Sequence, residues 1–195
     1  MSTQTPSAQA LSKPFAGLSE HTVPPAARPL LGKARELFGF VPNLAVTMAA
    51  VPAALEAYFH ALQAFGEMPL TPAEQQIVLM SVSRANQADY SLAVHATLAL
   101  KVGAEPGIVH AVGAGRSVPD ARLAALRRFT EALTVGRGLV SDAEVDSFLA
   151  AGYDRAGIVA VAFGVAIKTF ANALAHLANT PVDPAFAPAL ANLRS

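Results

Sequence analysis

Residues 71–95 read TPAEQQIVLMSVSRANQADYSLAVH, and this stretch is the most informative part of the chain. The capping-box sequence Thr71-Pro72-Ala73-Glu74, with proline at the first helical position, predicts the start of a helix. Apolar side chains follow, and the helix is expected to run to about Ala85. A second helix is predicted over residues 89–101 and ends at Gly103.

The same helix signals continue on both sides of this stretch. Proline or a capping residue precedes each predicted helix, and glycine or proline follows it. Further helices are expected over residues 29–37, from Pro42, and over 53–65, 106–112, 119–133, 141–150 and 154–179. No stretch alternates polar and apolar residues as a strand would, so the predicted class is all-α.

The last long helix is apolar almost all round, which predicts the central helix of a bundle. Its longest apolar run, residues 156–167, is too short to span a bilayer, which takes roughly 20 residues. Lys168, Asn172 and His176 follow at i, i+4 and i+8 and form a polar stripe on this helix. Buried members of such a stripe need hydrogen-bond partners.

Composition limits what the protein can bind. The 195 residues are 53% hydrophobic and 14% charged, enough to bury a core. Fourteen basic and fourteen acidic residues cancel without a basic cluster, which excludes nucleic acid and anionic membranes as expected partners. We therefore expect a small-molecule ligand, and the apolar, alanine-rich composition favours a homo-oligomer.

Residues 1–24 are predicted to be an extended N-terminal arm, and residues 25–195 a single all-helical domain. The arm is rich in Ser, Thr, Gln and Pro and has no pattern of a secretion signal, so a cytoplasmic location is expected. The chain contains no cysteine, which excludes disulfides and thiol redox chemistry.

Residues 71–95 resemble the signature of the alkylhydroperoxidase D and carboxymuconolactone decarboxylase family, in which a glutamate precedes a Cys-x-x-Cys pair and a histidine. In this register His95 keeps the histidine, and Gln76 stands in place of the glutamate. Ala88 and Ser91 stand in place of the two cysteines. The likeness extends from residues 40–43 to 181–183. It implies the alkylhydroperoxidase D-like helical bundle, which in relatives assembles as dimers, trimers or hexamers with pockets near subunit contacts.

The replaced residues remove the chemistry that the resemblance would imply. A methyl group and a hydroxyl cannot cycle between dithiol and disulfide, so thiol peroxidase activity is not expected. Gln76 does not ionise and can hold a water or ligand but cannot act as a base. Glu74 is no substitute, because it belongs to the capping box and lies about 200° round the helix from Gln76.

His95 is the candidate catalytic residue, because imidazole titrates near neutral pH. Ser91 lies one turn before His95 and could hydrogen-bond to it. A serine nucleophile also needs an oxyanion hole and an acid that orients the imidazole, and neither is visible in the sequence. A packing role for Ser91 is the alternative. Tyr90 and Asn86 are candidate substrate-binding residues beside it. Either ordinary packing or a shared pocket explains them.

Asn172 and His176 are further candidate substrate-binding residues. The family commonly carries an asparagine at the place of Asn172, near the pocket or a subunit contact. A structural network that ties helices or subunits together is the alternative.

No metal or cofactor is expected. The five histidines include no pair at helical ligand spacing, and no glycine-rich phosphate loop is present. They are His21, His60, His95, His110 and His176.

Three functions remain open. The first is a cofactor-free acid/base enzyme, of lyase or isomerase type, that acts on a small organic acid or lactone through His95. The second is a catalytically inactive member of the family that senses a ligand or binds a protein. The third is a cysteine-substituted form of an antioxidant hydroperoxidase, in which Ala88 and Ser91 are engineered rather than natural.

Overall fold

The computed structural model describes residues 13–195, so the first half of the predicted arm, residues 1–12, lies outside it. Two short 3-10 turns, Lys13–Phe15 and Pro25–Ala27, come first. Ten α-helices follow within the described residues: α1 Arg28–Phe38, α2 Asn43–Met48, α3 Pro52–Gly66, α4 Pro72–Ala85, α5 Asp89–Lys101, α6 Pro106–Ala114, α7 Ala121–Val135, α8 Asp142–Ala150, α9 Arg155–Leu177 and α10 Ala187–Arg194. Residues 13–195 contain no strand, which confirms the all-α class.

The capping box that begins α4 is present as predicted. The Thr71 hydroxyl accepts a hydrogen bond from the Glu74 backbone N–H at 3.2 Å, and the Glu74 carboxylate accepts one from the Thr71 N–H at 2.8 Å. Ser141 and Glu144 make the same pair of bonds before α8. Local side-chain chemistry therefore sets where these two helices begin.

The terminal helix α10 was not predicted. Pro181 and Pro184 mark the end of the preceding helix, and the eight residues of α10 are too few to show a clear period. Ala189 and Leu193 of this helix are buried in the main core, so tertiary packing stabilises it.

Helix α4 is the most deeply buried helix of the bundle and packs against α5, α7 and α9. Helix α9, which the sequence predicts to be central, packs against α2, α3, α4, α5 and α7 but is buried on one side only. α9 buries one side, which includes Gly164 and Ile167, and leaves Val159 and Phe170 on its exposed side. An apolar composition all round a helix permits burial on every side but does not require it.

Helix α9 is long and apolar enough to cross a membrane by length and composition alone. However, 44% of its most apolar 18-residue window is buried inside the bundle. A core helix of a water-soluble protein passes the same test, so this helix is weak evidence for a membrane span.

The apolar side chains form two clusters. The larger one joins α4 to α8 with α9, and the smaller one joins α1, α2 and α3 to parts of α5 and α9. Val23, which precedes the first helix, is buried in the smaller cluster. Helices α5 and α9 contribute buried side chains to both clusters, and α4 contributes to the larger one. The candidate site lies where the two clusters meet.

Candidate functional site

A cavity of about 330 Å³ lies between the N-terminal helices α1 to α3 and the helices α4, α5 and α9. Its walls are mostly apolar. They include Phe38, Leu44, Met48, Leu55, Phe59, Leu62, Phe65, Val94, Leu98 and Phe186. The polar side chains that line it are Tyr58, Gln75, Gln76, Tyr90, Ser91, His95 and Lys168. Apolar walls with a few convergent polar groups are typical of a small-molecule site.

The imidazole of His95 is buried in this cavity wall, with only 4% of the residue exposed. Its Nδ1 lies 2.9 Å from Oε1 of Gln76. The amide oxygen accepts a hydrogen bond, so Nδ1 carries the proton in this arrangement. Nε2 has no partner in the described part of the chain and is left with a free lone pair.

Burial lowers the pKa of His95 well below its usual range, and the positive charge of Lys168 lowers it further. Desolvation disfavours the imidazolium, and a nearby cation repels it. His95 is therefore neutral at pH 7. Its free Nε2 is a proton acceptor enclosed among apolar walls.

Lys168 on α9 is the cationic side chain in the cavity wall, and only 2% of it is exposed. Its Nζ donates a hydrogen bond to the hydroxyl of Tyr58 on α3, at 3.0 Å. Among residues 13–195 no carboxylate forms an ion pair with it. Burial lowers the pKa of Lys168 to about 7 and raises that of Tyr58.

The positions that match the two family cysteines face different surroundings. Ser91 lines the cavity, whereas Ala88 is buried at the cap of α5 and lines a separate surface depression. The possible hydrogen bond between Ser91 and His95 is not formed: Nδ1 of the imidazole bonds to Gln76, and Nε2 has no partner among the described residues. Within the described residues the Ser91 hydroxyl has no partner.

Tyr90 lines the cavity, but its hydroxyl serves the structure. It donates to Oδ2 of Asp183 at 2.7 Å and accepts from the Leu44 backbone N–H at 3.2 Å. Burial raises the pKa of Tyr90, so the phenol stays neutral. Its ring therefore contributes an apolar wall to the site.

Asn86 does not line the cavity. It caps the end of α4, and its backbone carbonyl oxygen lies 2.9 Å from Nε2 of the exposed His176. Asn172 is buried but also lies outside the cavity wall, and its amide has no partner within residues 13–195. Of the polar stripe on α9, only Lys168 reaches the cavity.

Glu74 faces away from the cavity, as its place in the capping box predicted. Its Oε1 accepts hydrogen bonds from Arg122 Nε at 3.1 Å and from the Tyr153 hydroxyl at 2.8 Å. Hydrogen bonds from Thr71, Tyr153 and Arg122 outweigh the effect of burial, so the pKa of Glu74 is lowered. Glu74 therefore has a structural role.

Sequence reasoning missed Lys168 and Tyr58 as site residues. The signal for Lys168 was present in the polar stripe of α9, but the stripe alone did not show which member faces a cavity. Tyr58 carries no sequence signal that separates it from the other aromatic residues of α3. Across the described residues, no group of three His, Asp or Glu side chains could hold a metal ion.

The fold and the site define an all-α, alkylhydroperoxidase D-like protein without thiols. Residues 49–133 match the model of the Carboxymuconolactone decarboxylase family, and the chain lacks the Cys-x-x-Cys pair of the resembled signature. The match includes His95 and Gln76 but ends before Lys168. No curated protein matches the sequence.

Solved structures share the fold. A peroxidase-related protein from Ralstonia eutropha JMP134, with an alkylhydroperoxidase AhpD core, is 22% identical over 86% of this chain and 90% of its own, with a TM-score of 0.75. A peroxidase-related protein from Silicibacter sp. TM1040 is 19% identical over 87% and 92%, with a TM-score of 0.77. The debrominase Bmp8 is 17% identical over 87% and 92%, with a TM-score of 0.71. At these identities the likeness establishes the fold alone.

Proposed function

We propose that this protein is a cofactor-free enzyme of lyase or isomerase type that moves a proton on a small organic acid or lactone, with His95 as the acid/base. One observation carries the proposal. Nε2 of His95 is a buried base at an apolar cavity and has no partner among residues 13–195, and Gln76 holds the opposite ring nitrogen in its protonated form.

In the proposed reaction Nε2 of His95 accepts a proton from a carbon next to the substrate's carbonyl group. The electron pair of that C–H bond passes into the carbonyl system as an enolate. In an isomerisation the imidazolium then returns its proton to a different carbon. In an elimination the leaving group departs with the electron pair and takes the proton from the imidazolium, which restores the neutral base. Gln76 continues to accept the Nδ1–H bond throughout, so the ring does not need to turn.

The environment of His95 supports proton return after each step. Burial and the charge of Lys168 both lower the pKa of His95, so the protonated ring gives up its proton more readily than a free imidazolium does. The apolar walls favour a substrate with a hydrocarbon or aromatic body. In the neighbouring structure of debrominase Bmp8, a cysteine-to-alanine variant is in complex with 2,3,4-tribromopyrrole, which supports small ring compounds as candidates.

The test is a turnover screen of lactones and of aromatic, oxo and unsaturated acids with the native protein, His95→Ala and His60→Ala. His60 lies exposed on α3 and serves as the matched control. We expect His95→Ala to lower kcat/KM by about 10²- to 10⁴-fold and His60→Ala to leave it unchanged. Turnover that survives in His95→Ala contradicts the proposal.

A thermal-shift measurement on the same compounds separates catalysis from ligand sensing. A ligand at about 100 times its dissociation constant adds about 2.7 kcal/mol to the free energy of unfolding. Binding to the cavity without any turnover would favour the ligand-sensing alternative.

We also propose a cytoplasmic homo-oligomer. The apolar residues Val159, Phe170 and Leu177 on the exposed side of α9 support an oligomer, because a partner helix would remove them from water. Light scattering coupled to size-exclusion chromatography tests this point, and a monomeric mass at micromolar concentration would contradict it.

A further inference from the structure

We infer that Lys168 and Tyr58 form a carboxylate-binding site, and that the cavity takes a small monocarboxylic acid with an apolar body. This inference rests on the proposed function, because it assigns how the substrate of that function is held. It adds a recognition element that lies on α9 and α3, outside the proton-transfer pair on α4 and α5.

The first step is that no acidic side chain among residues 13–195 pairs with the charge of Lys168. A lysine is almost never fully buried unless it is paired, because a lone ammonium in an apolar medium loses its hydration. Lys168 is 2% exposed and has only the neutral phenol of Tyr58 as a hydrogen-bond partner among residues 13–195. A bound anion would supply the charge that this part of the chain does not provide.

The second step is the direction of the available donors. Nζ of Lys168 donates to the Tyr58 oxygen at 3.0 Å, so the hydroxyl hydrogen of Tyr58 remains free to donate elsewhere. An ammonium has three hydrogens, and the bond to Tyr58 uses one. The two oxygens of one carboxylate can therefore accept from Lys168 and from Tyr58 together.

The third step is the charge of the surroundings. Along with Lys168, the titratable side chains in the cavity wall are Tyr58, Tyr90 and His95, and among the described residues no aspartate or glutamate lines it. Asp183 lies behind Tyr90 and accepts hydrogen bonds from its hydroxyl and from the Asn43 N–H. An incoming carboxylate thus meets one cation and neutral groups. A second carboxylate would be buried against apolar walls without a partner, which selects monoacids.

A bound carboxylate also changes the protonation of the Lys168 amine. Burial places the pKa of Lys168 at about 7, so the amine of the empty site loses its charge above that pH. An ion-paired amine keeps its proton, so binding above pH 7 requires proton uptake. Affinity for the anion should then fall by about tenfold for each pH unit above 7.

The experiment is calorimetric titration with two matched pairs of probes, benzoate against benzamide and hexanoate against hexanamide, on the full chain at pH 6.5 and 8.5. We expect the native protein to bind each carboxylate about 10- to 100-fold more tightly than its amide at pH 6.5. Lys168→Met should lose this preference and its pH dependence. Lys101→Met, which removes an exposed lysine at the end of α5, should keep both.

Tyr58→Phe provides a second variant that keeps the lysine in place, and it should weaken carboxylate binding several-fold and amide binding by less, because a hydrogen bond to an ionised acceptor is the stronger one. Circular dichroism confirms that each variant is folded. Equal affinity for carboxylate and amide in the native protein, a preference that persists in Lys168→Met, or no carboxylate binding at all would each overturn the inference.

Equilibrium binding separates this inference from the proposed catalysis. A carboxylate preference that Lys168→Met abolishes and His95→Ala retains supports the anion site, even where no compound is turned over. Turnover that depends on His95 without any preference for anions overturns the anion site and leaves the catalytic proposal standing.

Discussion

Nδ1 of His95 on α5 lies 2.9 Å from Oε1 of Gln76 on α4. The family resemblance places a glutamate at the position of Gln76, and the amide keeps the hydrogen bond without the negative charge. A carboxylate here would stabilise the imidazolium, whereas the amide fixes the tautomer and leaves the ring neutral. Gln76 therefore orients the imidazole of His95 without adding a charge to the cavity wall.

Gln76→Glu should raise the pKa of His95 by about one unit or more, because it places a negative charge beside Nδ1. NMR titration of the imidazole measures the change. Gln63→Glu, at an exposed position on α3 outside the cavity wall, adds the same charge in solvent and should leave the His95 pKa unchanged. An unchanged His95 pKa in Gln76→Glu would contradict the hydrogen bond assigned here.

Lys168→Met should stabilise the folded protein at pH 6. The pKa of Lys168 is about 7 when folded and about 10.4 when unfolded, so below pH 7 both states are protonated and the folded state bears the full cost of the buried charge. Between pH 7 and 10 the unfolded state binds more protons, so native stability rises with pH, by at most about 1.4 kcal/mol per unit from this group.

Urea unfolding at pH 6, 8 and 9.5 checks this pH dependence. The difference in stability between Lys168→Met and the native protein should shrink as the pH rises. Parallel curves for the two proteins would show that Lys168 does not titrate in this range.

Glu74→Ala should lower the free energy of unfolding by about 2 to 4 kcal/mol, because it removes a cap and leaves Arg122 and Tyr153 without their acceptor. Glu144 occupies the same capping-box position before α8 but is exposed, so Glu144→Ala should cost much less. Chemical denaturation of both variants at pH 7 compares them. Equal losses would mean that the buried contacts of Glu74 contribute nothing beyond the cap.

Gly164→Ala should destabilise the protein by about 1 to 3 kcal/mol. An added Cβ would lie 2.8 Å from Val78 Cγ1 and 3.0 Å from the ring of Phe65, where α9 crosses α4 and α3. Gly32→Ala on α1 meets nothing within 4 Å and should be neutral or stabilising, by up to about 1 kcal/mol. Thermal melts of the pair measure the contrast, and a neutral Gly164→Ala would refute the close helix contact.

Tyr90→Phe should cost about 1 to 3 kcal/mol, because it leaves the buried carboxylate of Asp183 and the Leu44 N–H without their shared partner. The apolar wall that the ring contributes to the cavity is retained. Ligand affinity should therefore change less than stability, which parallel unfolding and binding measurements can establish. A stable variant with lost binding would instead place the hydroxyl in the ligand site.

Most helix boundaries were accessible from sequence because they depend on neighbours in the chain. The capping boxes at Thr71 and Ser141 use bonds that span three residues, and the structure contains both. The short helix α10 was missed because its stability comes from packing of Ala189 and Leu193 rather than from a local signal. The burial of α4 and the half-exposed state of α9 also depend on how the helices are placed.

Residue identity and short-range spacing are sufficient to predict the all-α class, the helix starts, the absence of thiol chemistry and His95 as the candidate catalytic residue. The packing of the helices was needed to show that His95 bonds to Gln76, and that Lys168 meets Tyr58 at a cavity that Asn172 and His176 do not reach. The contact between Lys168 and Tyr58 joins residues 110 positions apart. A helical period shows which residues share a face, but only the packing of distant helices determines what that face meets.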